Sequence, residues 1–349
     1  MQDSVITLLP PLIAITIAIW QKNAFFALLA GLLLCHIMIA HWQPIDGFIG
    51  SINELFGVFN SLGNIYIITF SLLIGALVKL MTQSGAVNGF IQHLSELKLV
   101  KNKRHASMLP TIIGTSIFTD TNLSMFTGGM ASQQLFDKHK LSRARLAYLL
   151  DSTCAPISIL FLINGWGAYI LGLLDEFNFK DPVGILMGTV GYNFYAIIAV
   201  TLAYYTAYSG KVYGPMKRAG TYINIKTEPN VEKVAQARVM WLPLISLLAI
   251  SLLLLFITGD GDIRRGSGSF SVFWAITSAL FMLIAMILYY RLLTSKQIFL
   301  VAISGIKTMI APVSILVISF AFGGAIKELG TGIYVSQLMN VEVPLFLMA

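Results

Sequence analysis

Long apolar runs separated by short polar clusters set out the elements of this chain. Residues 5–20 and 23–42 are two such runs joined by a tight turn at Gln21 and Lys22, and a third covers 62–81. Later runs cover 183–208, 240–258, 270–290 and 298–322. Each approaches or exceeds the roughly 20 residues that carry a helix across a bilayer. A shorter amphipathic piece lies at 85–97. Two further apolar segments, 105–130 and 144–174, are interrupted. The first holds Thr119, Asp120, Thr121 and Asn122 at its middle; the second holds Asp151, Ser152, Thr153, Cys154, Ala155, Pro156, Ile157 and Ser158, then Asn164 and Gly165. A carboxylate in the middle of a membrane-length segment is costly and is usually there for function. Non-helical backbone at that depth is tolerated only where protein or a water-filled cavity surrounds it. Two broken segments in succession therefore read as an ion or substrate site near the midplane.

Composition removes the soluble alternatives. The chain is 56% hydrophobic and 11% charged, against about 25% charged residues in soluble domains. The net charge of +7 points away from nucleic acid, because it is what Lys and Arg collected in cytoplasmic loops leave behind. Cys35 and Cys154 both fall in apolar runs, so neither a disulfide framework nor a thiolate metal site follows. The first run has no charged leader and no small-residue cleavage pattern, and reads as a retained span.

Charge also threads the chain. Lys98, Lys101, Lys103 and Arg104 precede the first interrupted segment, and Lys138, Lys140, Arg143 and Arg145 follow it. Both clusters belong in the cytoplasm, which a single crossing forbids and a re-entrant hairpin with its tip near 114–124 allows. The second interrupted segment then crosses outward to Asp175, Glu176 and Asp181, and the next span returns to a basic loop with Lys211, Lys217, Arg218, Lys226, Lys233 and Arg238. The N-terminus falls outside.

A short repeat agrees with this threading. Gly75-Ala-Leu-Val-Lys79 matches Gly323-Gly-Ala-Ile-Lys327, one at the inner end of its span and the other at the outer end. The expected fold is an all-α polytopic membrane protein, an inverted-repeat secondary transporter with a re-entrant hairpin, a broken helix and an incomplete second repeat. Residues 1–83 would be the scaffold spans of the first repeat and 84–208 its hairpin, broken helix and following span. Residues 209–239 would be a cytoplasmic loop and 240–349 the second repeat. Residues 341–349 open a new apolar run in which Pro344 stands as Pro110 does at the first hairpin. The chain accordingly reads as a fragment.

Asp120, with Thr119, Thr121 and Asn122 around it, makes a hard-oxygen cage suited to Na+; its structural alternative is a cap at the hairpin tip. Asp151 is either a second functional carboxylate or a partner for a basic residue at the cytoplasmic mouth. Ser152, Thr153 and Ser158 either supply ligand oxygens or bond back to their own helix. Pro156 is expected to make the break, with Asn164, Gly165 and Gly167 a second weak point. Trp166 and Tyr169 suit outer packing or interface positions, and Lys79, Lys327 and Lys307 can snorkel. The histidines (His36, His41, His93, His105, His139) have no metal-ligand spacing, and no phosphate loop or nucleophile–base set occurs. Neither an enzyme nor a cofactor is indicated.

Residues 142–174, with their Asp-Ser-Thr-Cys-Ala-Pro and Trp-Gly-Ala-Tyr strings, resemble the NhaC-type Na+/H+ antiporter family of the ion transporter superfamily. So do Gly305-Ile-Lys-Thr-Met and Leu329-Gly-Thr-Gly332. The resemblance implies paired hairpins and broken helices, a possible homodimer through scaffold helices, and a bacterial inner membrane location. It also implies exchange of cytoplasmic Na+ for protons, although some members move organic anions such as malate and lactate. Members often carry a Glu-Asp pair where this chain has Leu150-Asp151, a departure that bears on stoichiometry, and they are usually longer. The expected activity is Na+/H+ exchange, with Asp120 binding Na+ or a proton but not both. The alternatives are a Na+- or H+-coupled carrier of a small organic anion or amino acid, and a non-transporting membrane scaffold or partner subunit.

Overall fold

The computed structural model describes residues 5–96, 102–118, 121–161, 164–176, 181–218 and 234–339, and every regular element among them is helical. A 3-10 turn leads into α1 (Leu9–Gln21) and then α2 (Ala24–Ile39). Lys22 turns the chain between them in the left-handed conformation, and the Asn23 side chain caps α2 by accepting from Phe25 N at 3.0 Å. Next come α3 (Pro44–Gly57), α4 (Leu62–Gln83) and the amphipathic α5 (Ala86–Glu96). The interrupted segments give α6 (Lys103–Ser116), α7 (Thr121–Lys138), α8 (Arg143–Leu160) and α9 (Gly165–Glu176). After α10 (Pro182–Thr189), α11 (Phe194–Ser209) and the single turn α12 (Pro215–Arg218) come α13 (Arg238–Thr258) and α14 (Gly268–Tyr289). The last two are α15 (Ser295–Leu329) and α16 (Thr331–Met339). Asn102, Ser142 and Asp181 cap α6, α8 and α10, and Thr294 with Gln297 forms a capping box on α15.

Helices α4, α13, α14 and α15 are long and apolar enough to cross a membrane, and α10 with α11 makes a fifth such segment if bent. At 35 residues α15 is about 52 Å long, well beyond the roughly 30 Å hydrocarbon core. It starts before the 298–322 run at the Thr294–Gln297 capping box and runs past it to Gly330, whose left-handed backbone ends the helix. The 183–208 run is not one straight span: α10 and α11 meet at 54°, and Asn193 closes the joint by donating from Nδ2 to Thr189 O at 3.1 Å. The stretch from 43 to 61, which carries no Lys or Arg, is mostly the helix α3. Its Gly47 and Gly50 lie against Ile37 and His36 of α2, while Ile45, Phe48, Ile49, Ile52 and Phe56 are exposed. Small residues inward and large apolar ones outward is the pattern of a helix facing lipid.

Two cores result. In the larger, α1 packs on α2 and α2 on α15, while α13 packs on α14 and α14 on α4; α4 and α15 form the most extensive pair. Ile67 of α4 and Phe320 of α15 both meet Gly172 of α9, whereas Gly75 meets Gly305. One helix therefore climbs as the other descends, and the pair is antiparallel. Tyr66 of α4 stacks on Phe273 of α14 at 5.0 Å between ring centroids. The smaller core joins α6, α7, α8 and α11 around Ala106, Phe136, Leu149, Ala203 and Ala207. Helices α6 and α7 also give Ile113 and Leu123 to the larger core, and Leu171 of α9 meets Val183, Leu186 and Leu255 in a third cluster.

Candidate functional site at the crossing of two helix breaks

Helices α6 and α7 lie antiparallel. Ser124 Oγ donates to Gly114 O at 3.1 Å, and Gly128 lies over Pro110 and Ile113, so the outer ends at Lys103 and Lys138 share one end of the pair. Helix α8 crosses this hairpin closely. A methyl group on Gly114 would collide with Thr153 Oγ1, and Ser124 Oγ also reaches Cys154 Sγ at 3.2 Å. Asp137 takes a bidentate pair from Arg143 at 3.0 and 2.7 Å, fixing the turn from α7 into α8.

Asn164 joins the two breaks. Its Nδ2 donates to Ser158 O, to Phe161 O at 2.6 Å and to Phe118 O at 3.4 Å. Its Oδ1 accepts from Trp166 N at 2.9 Å and Gly167 N at 3.0 Å. One side chain thus closes the carbonyl end of α8, caps the amide end of α9 and holds the end of α6. Phe118 and Phe161 stack across the crossing, 4.6 Å between centroids and 18° from parallel. Pro156 lies within α8, which continues to Leu160. Helix α8 ends at Leu160 and α9 starts at Gly165 because Asn164 satisfies the groups freed at both ends, a role that Pro156, having no side-chain donor, cannot fill.

Beside the crossing, Thr121 Oγ1 and Ser158 Oγ lie 3.2 Å apart, and Ser158 also donates to Cys154 O at 2.9 Å. Both line a cavity of about 690 Å³ together with Asn164, Trp166 and Tyr169. Its far wall is α4 and α15: Ser71 and Ile74 from one, and Met309, Pro312, Val313, Leu316 and Ser319 from the other. Among the described residues no charged side chain lines it. The carbonyl end of α8 and the amide ends of α7 and α9 meet at its wall, through Ser158, Thr121 and Trp166, so helix-end partial charges of both signs face one space.

Of the residues singled out in the sequence, Thr121 and Ser158 come together on this cavity. Thr119 and Asp120 lie outside the described residues, as does the side chain of Asn122. Thr153 turns toward α6, its hydroxyl bonded to Leu149 O at 2.6 Å. Asp151 is exposed, one helical turn from Ala155, which lines the cavity; Ser152 beside it is half-buried. Ser71 and Ser319 were not singled out, yet a signal existed: each stands eight residues before its repeat lysine, Lys79 or Lys327. No metal-binding cluster of His, Cys, Asp and Glu occurs among the described residues.

The Na+/H+ antiporter family model matches residues 146–349 of the chain, from the first turn of α8 onward, including the second break and all of α13 to α15. The chain belongs to the Na+/H+ antiporter family. It is a multi-pass membrane protein of a transporter family. An uncharacterized protein of Haemophilus influenzae is 28% identical over 372 residues, a match that spans 98% of this chain and 71% of the relative. No solved structure matches the chain.

Proposed function

We propose that the protein exchanges Na+ for protons across the cytoplasmic membrane, with the cation bound where the two helix breaks cross. The observation that carries this reading is the Thr121–Ser158 hydroxyl pair beside the carbonyl ends of α6 and α8. Hydroxyl and carbonyl oxygens are hard ligands, and helix C-terminal ends favour a cation. Asp120, next to Thr121 in sequence, is the proposed carboxylate that holds Na+ or a proton alternately, with Thr119 and Asn122 completing the shell. A carboxylate there holds Na+ and its protonated form does not, so the two ions compete for one group. Asp151 is the proposed second carboxylate, at the cytoplasmic approach.

The antiparallel α4–α15 pair, with α1–α2 on one partner and α13–α14 on the other, supports an inverted repeat. In that arrangement Ser71 and Ser319 are equivalent positions facing one cavity. The hairpin geometry of α6 and α7 supports a re-entrant element. The bacterial inner membrane and an outer N-terminus complete the reading.

One observation favours coupled transport of an organic solute as a second reading. A space of about 690 Å³ lies within the range of small-molecule sites, about 300–1,000 Å³, and far exceeds a bare ion. Against an anion, its described lining offers no Lys or Arg. Proton flux in inverted vesicles separates the two. Exchange driven by Na+ alone supports the antiporter, whereas flux that requires an added organic acid or amino acid supports the carrier.

A further inference from the structure

The end of the molecule that gathers the start of α6, the start of α8 and the end of α11 carries charges the transport site does not use. Arg104, on the first turn of α6, holds its guanidinium 4.2 Å over the ring of Tyr208. Arg145 is buried and donates to Thr206 O at 2.7 Å and Gly210 O at 3.4 Å. Its Nε is buried without a partner. Lys211 follows directly on α11, beside the paired phenols of Tyr205 and Tyr213. Among the described residues no ion pair joins Arg104, Arg145 or Lys211 to a carboxylate. Above this end, Ile198, Leu202, Tyr205 and Tyr208 form an exposed apolar and aromatic stripe along α11.

We infer that this corner binds an anionic phospholipid. The headgroup phosphate would meet Arg104, Lys211 and the hydroxyls of Tyr205 and Tyr213, while an acyl chain lies on Leu202 and Ile198. A helix C-terminus ordinarily repels an anion, because its free carbonyls carry partial negative charge. Here Arg145 takes up two of those carbonyls and adds a positive charge, so the repulsion is removed. The stack on Tyr208 keeps the Arg104 guanidinium at the level of the headgroups, where aromatic rings also settle. Basic residues at this depth attract anionic lipid by about 1 kcal/mol each, and the complementarity of charge selects such a lipid over a zwitterionic one. The inference needs only that the chain sits in a membrane, and stands apart from which ion is carried.

The test is native mass spectrometry of the purified chain exposed to equimolar phosphatidylglycerol and phosphatidylcholine with the same acyl chains. The wild-type protein is expected to retain phosphatidylglycerol preferentially. In the double variant Arg104→Gln, Lys211→Gln that preference should fall roughly fivefold for each cation removed, the ratio that about 1 kcal/mol corresponds to. Lys296→Gln, at an exposed site on the first turn of α15, removes one charge elsewhere and should leave it unchanged. Should the double variant not fold, Lys211→Gln alone, outside any helix, carries the comparison. An unchanged preference in the charge variants overturns the inference. So does effective competition by soluble glycerol phosphate, which has the headgroup without the chains and would mark a solute site instead.

Discussion

Gly75 and Gly305 meet backbone to backbone where α4 crosses α15. A methyl group on Gly75 would run into the carbonyl oxygen of Gly305, and one on Gly305 into that of Gly75. The contact is reciprocal, and it sits at the centre of the helix pair that forms one wall of the cavity. Without a hydrophobic drive between helices in lipid, such close approach of small residues is what holds them together. Gly305→Ala is expected to push the helices apart and cost about 1–3 kcal/mol, as overpacking does. Thermal unfolding in detergent would register it. Gly188→Ala, on α10 with open space around it, should be neutral or slightly stabilising. Equal effects at the two positions would remove the crossing from the account of stability.

Asn164→Ala withdraws the cap on α9, worth about 0.5–2 kcal/mol, and leaves Ser158 O, Phe161 O and Phe118 O without their shared donor. Exchange should be lost while the protein remains folded. Asn164→Asp keeps the acceptor for Trp166 N and Gly167 N but turns a carboxylate toward three carbonyl oxygens. Only the protonated form offers a donor to those oxygens, and lowering the pH populates it. Partial recovery of exchange as pH falls is therefore expected in Asn164→Asp alone. A flat pH response in that variant would show that Asn164 does not hold the breaks through its amide.

The hydroxyl pair gives a sharper contrast. Thr121→Val and Ser158→Ala each remove one oxygen beside the crossing, and each should weaken apparent Na+ affinity roughly fivefold, the equivalent of about 1 kcal/mol. Thr153→Val removes a hydroxyl that serves its own helix at Leu149 O, and should leave Na+ affinity alone. Concentration dependence of Na+-driven proton flux measures all three. If Thr153→Val weakens binding as much as the other two, the ion lies on the α6 side of α8.

How far the sequence carried this description varies from element to element. Apolar length located α1, α2, α4, α13 and α14 within a few residues, because a span must match a bilayer. The exact ends follow from caps, such as Asn23 on α2 and Thr294 on α15, that apolar length does not show. The antiparallel pairing of α6 and α7 agrees with the two basic clusters, which stand at its one shared end. The second break was not legible: a proline is a strong local signal, but α8 accommodates Pro156 and ends only where a tertiary network around Asn164 replaces its hydrogen bonds. Helix α3 was hidden because its buried face is Gly47, Gly50 and Ser51, the reverse of a soluble amphipathic helix. The cavity's far wall depended on which residues α4 and α15 turn toward it, and periodicity in a wholly apolar helix does not say that.

Topology can be read by labelling. Lys103 and Lys138 are exposed at the outer ends of α6 and α7, and both native cysteines are fully buried. Cysteines placed at 103 and 138 should react with an impermeant reagent from the same side of the membrane, the cytoplasmic one. Reaction from opposite sides would mean that the pair crosses the membrane and does not turn back.

The proposed exchange rests on two carboxylates. Asp120 lies in the middle of an apolar segment, with no Lys or Arg within a dozen positions on either side. A purely structural Asp would more often have a basic partner or sit where water serves it. Asp151 differs: it is exposed on the face of α8 that also carries Ala147 and Ala155, and water or a partner group can reach it. Asp120→Asn keeps size and hydrogen-bonding capacity while removing the charge and the proton site. It should leave folding nearly unchanged and abolish Na+-driven proton movement in inverted vesicles. Asp151→Asn should slow exchange or shift its pH dependence without ending it, because an exposed carboxylate on the approach concentrates cations but does not select between Na+ and H+. Wild-type transport by Asp120→Asn with a dead Asp151→Asn would reverse the two roles. Full activity in both would remove the crossing of the helix breaks as the coupling site.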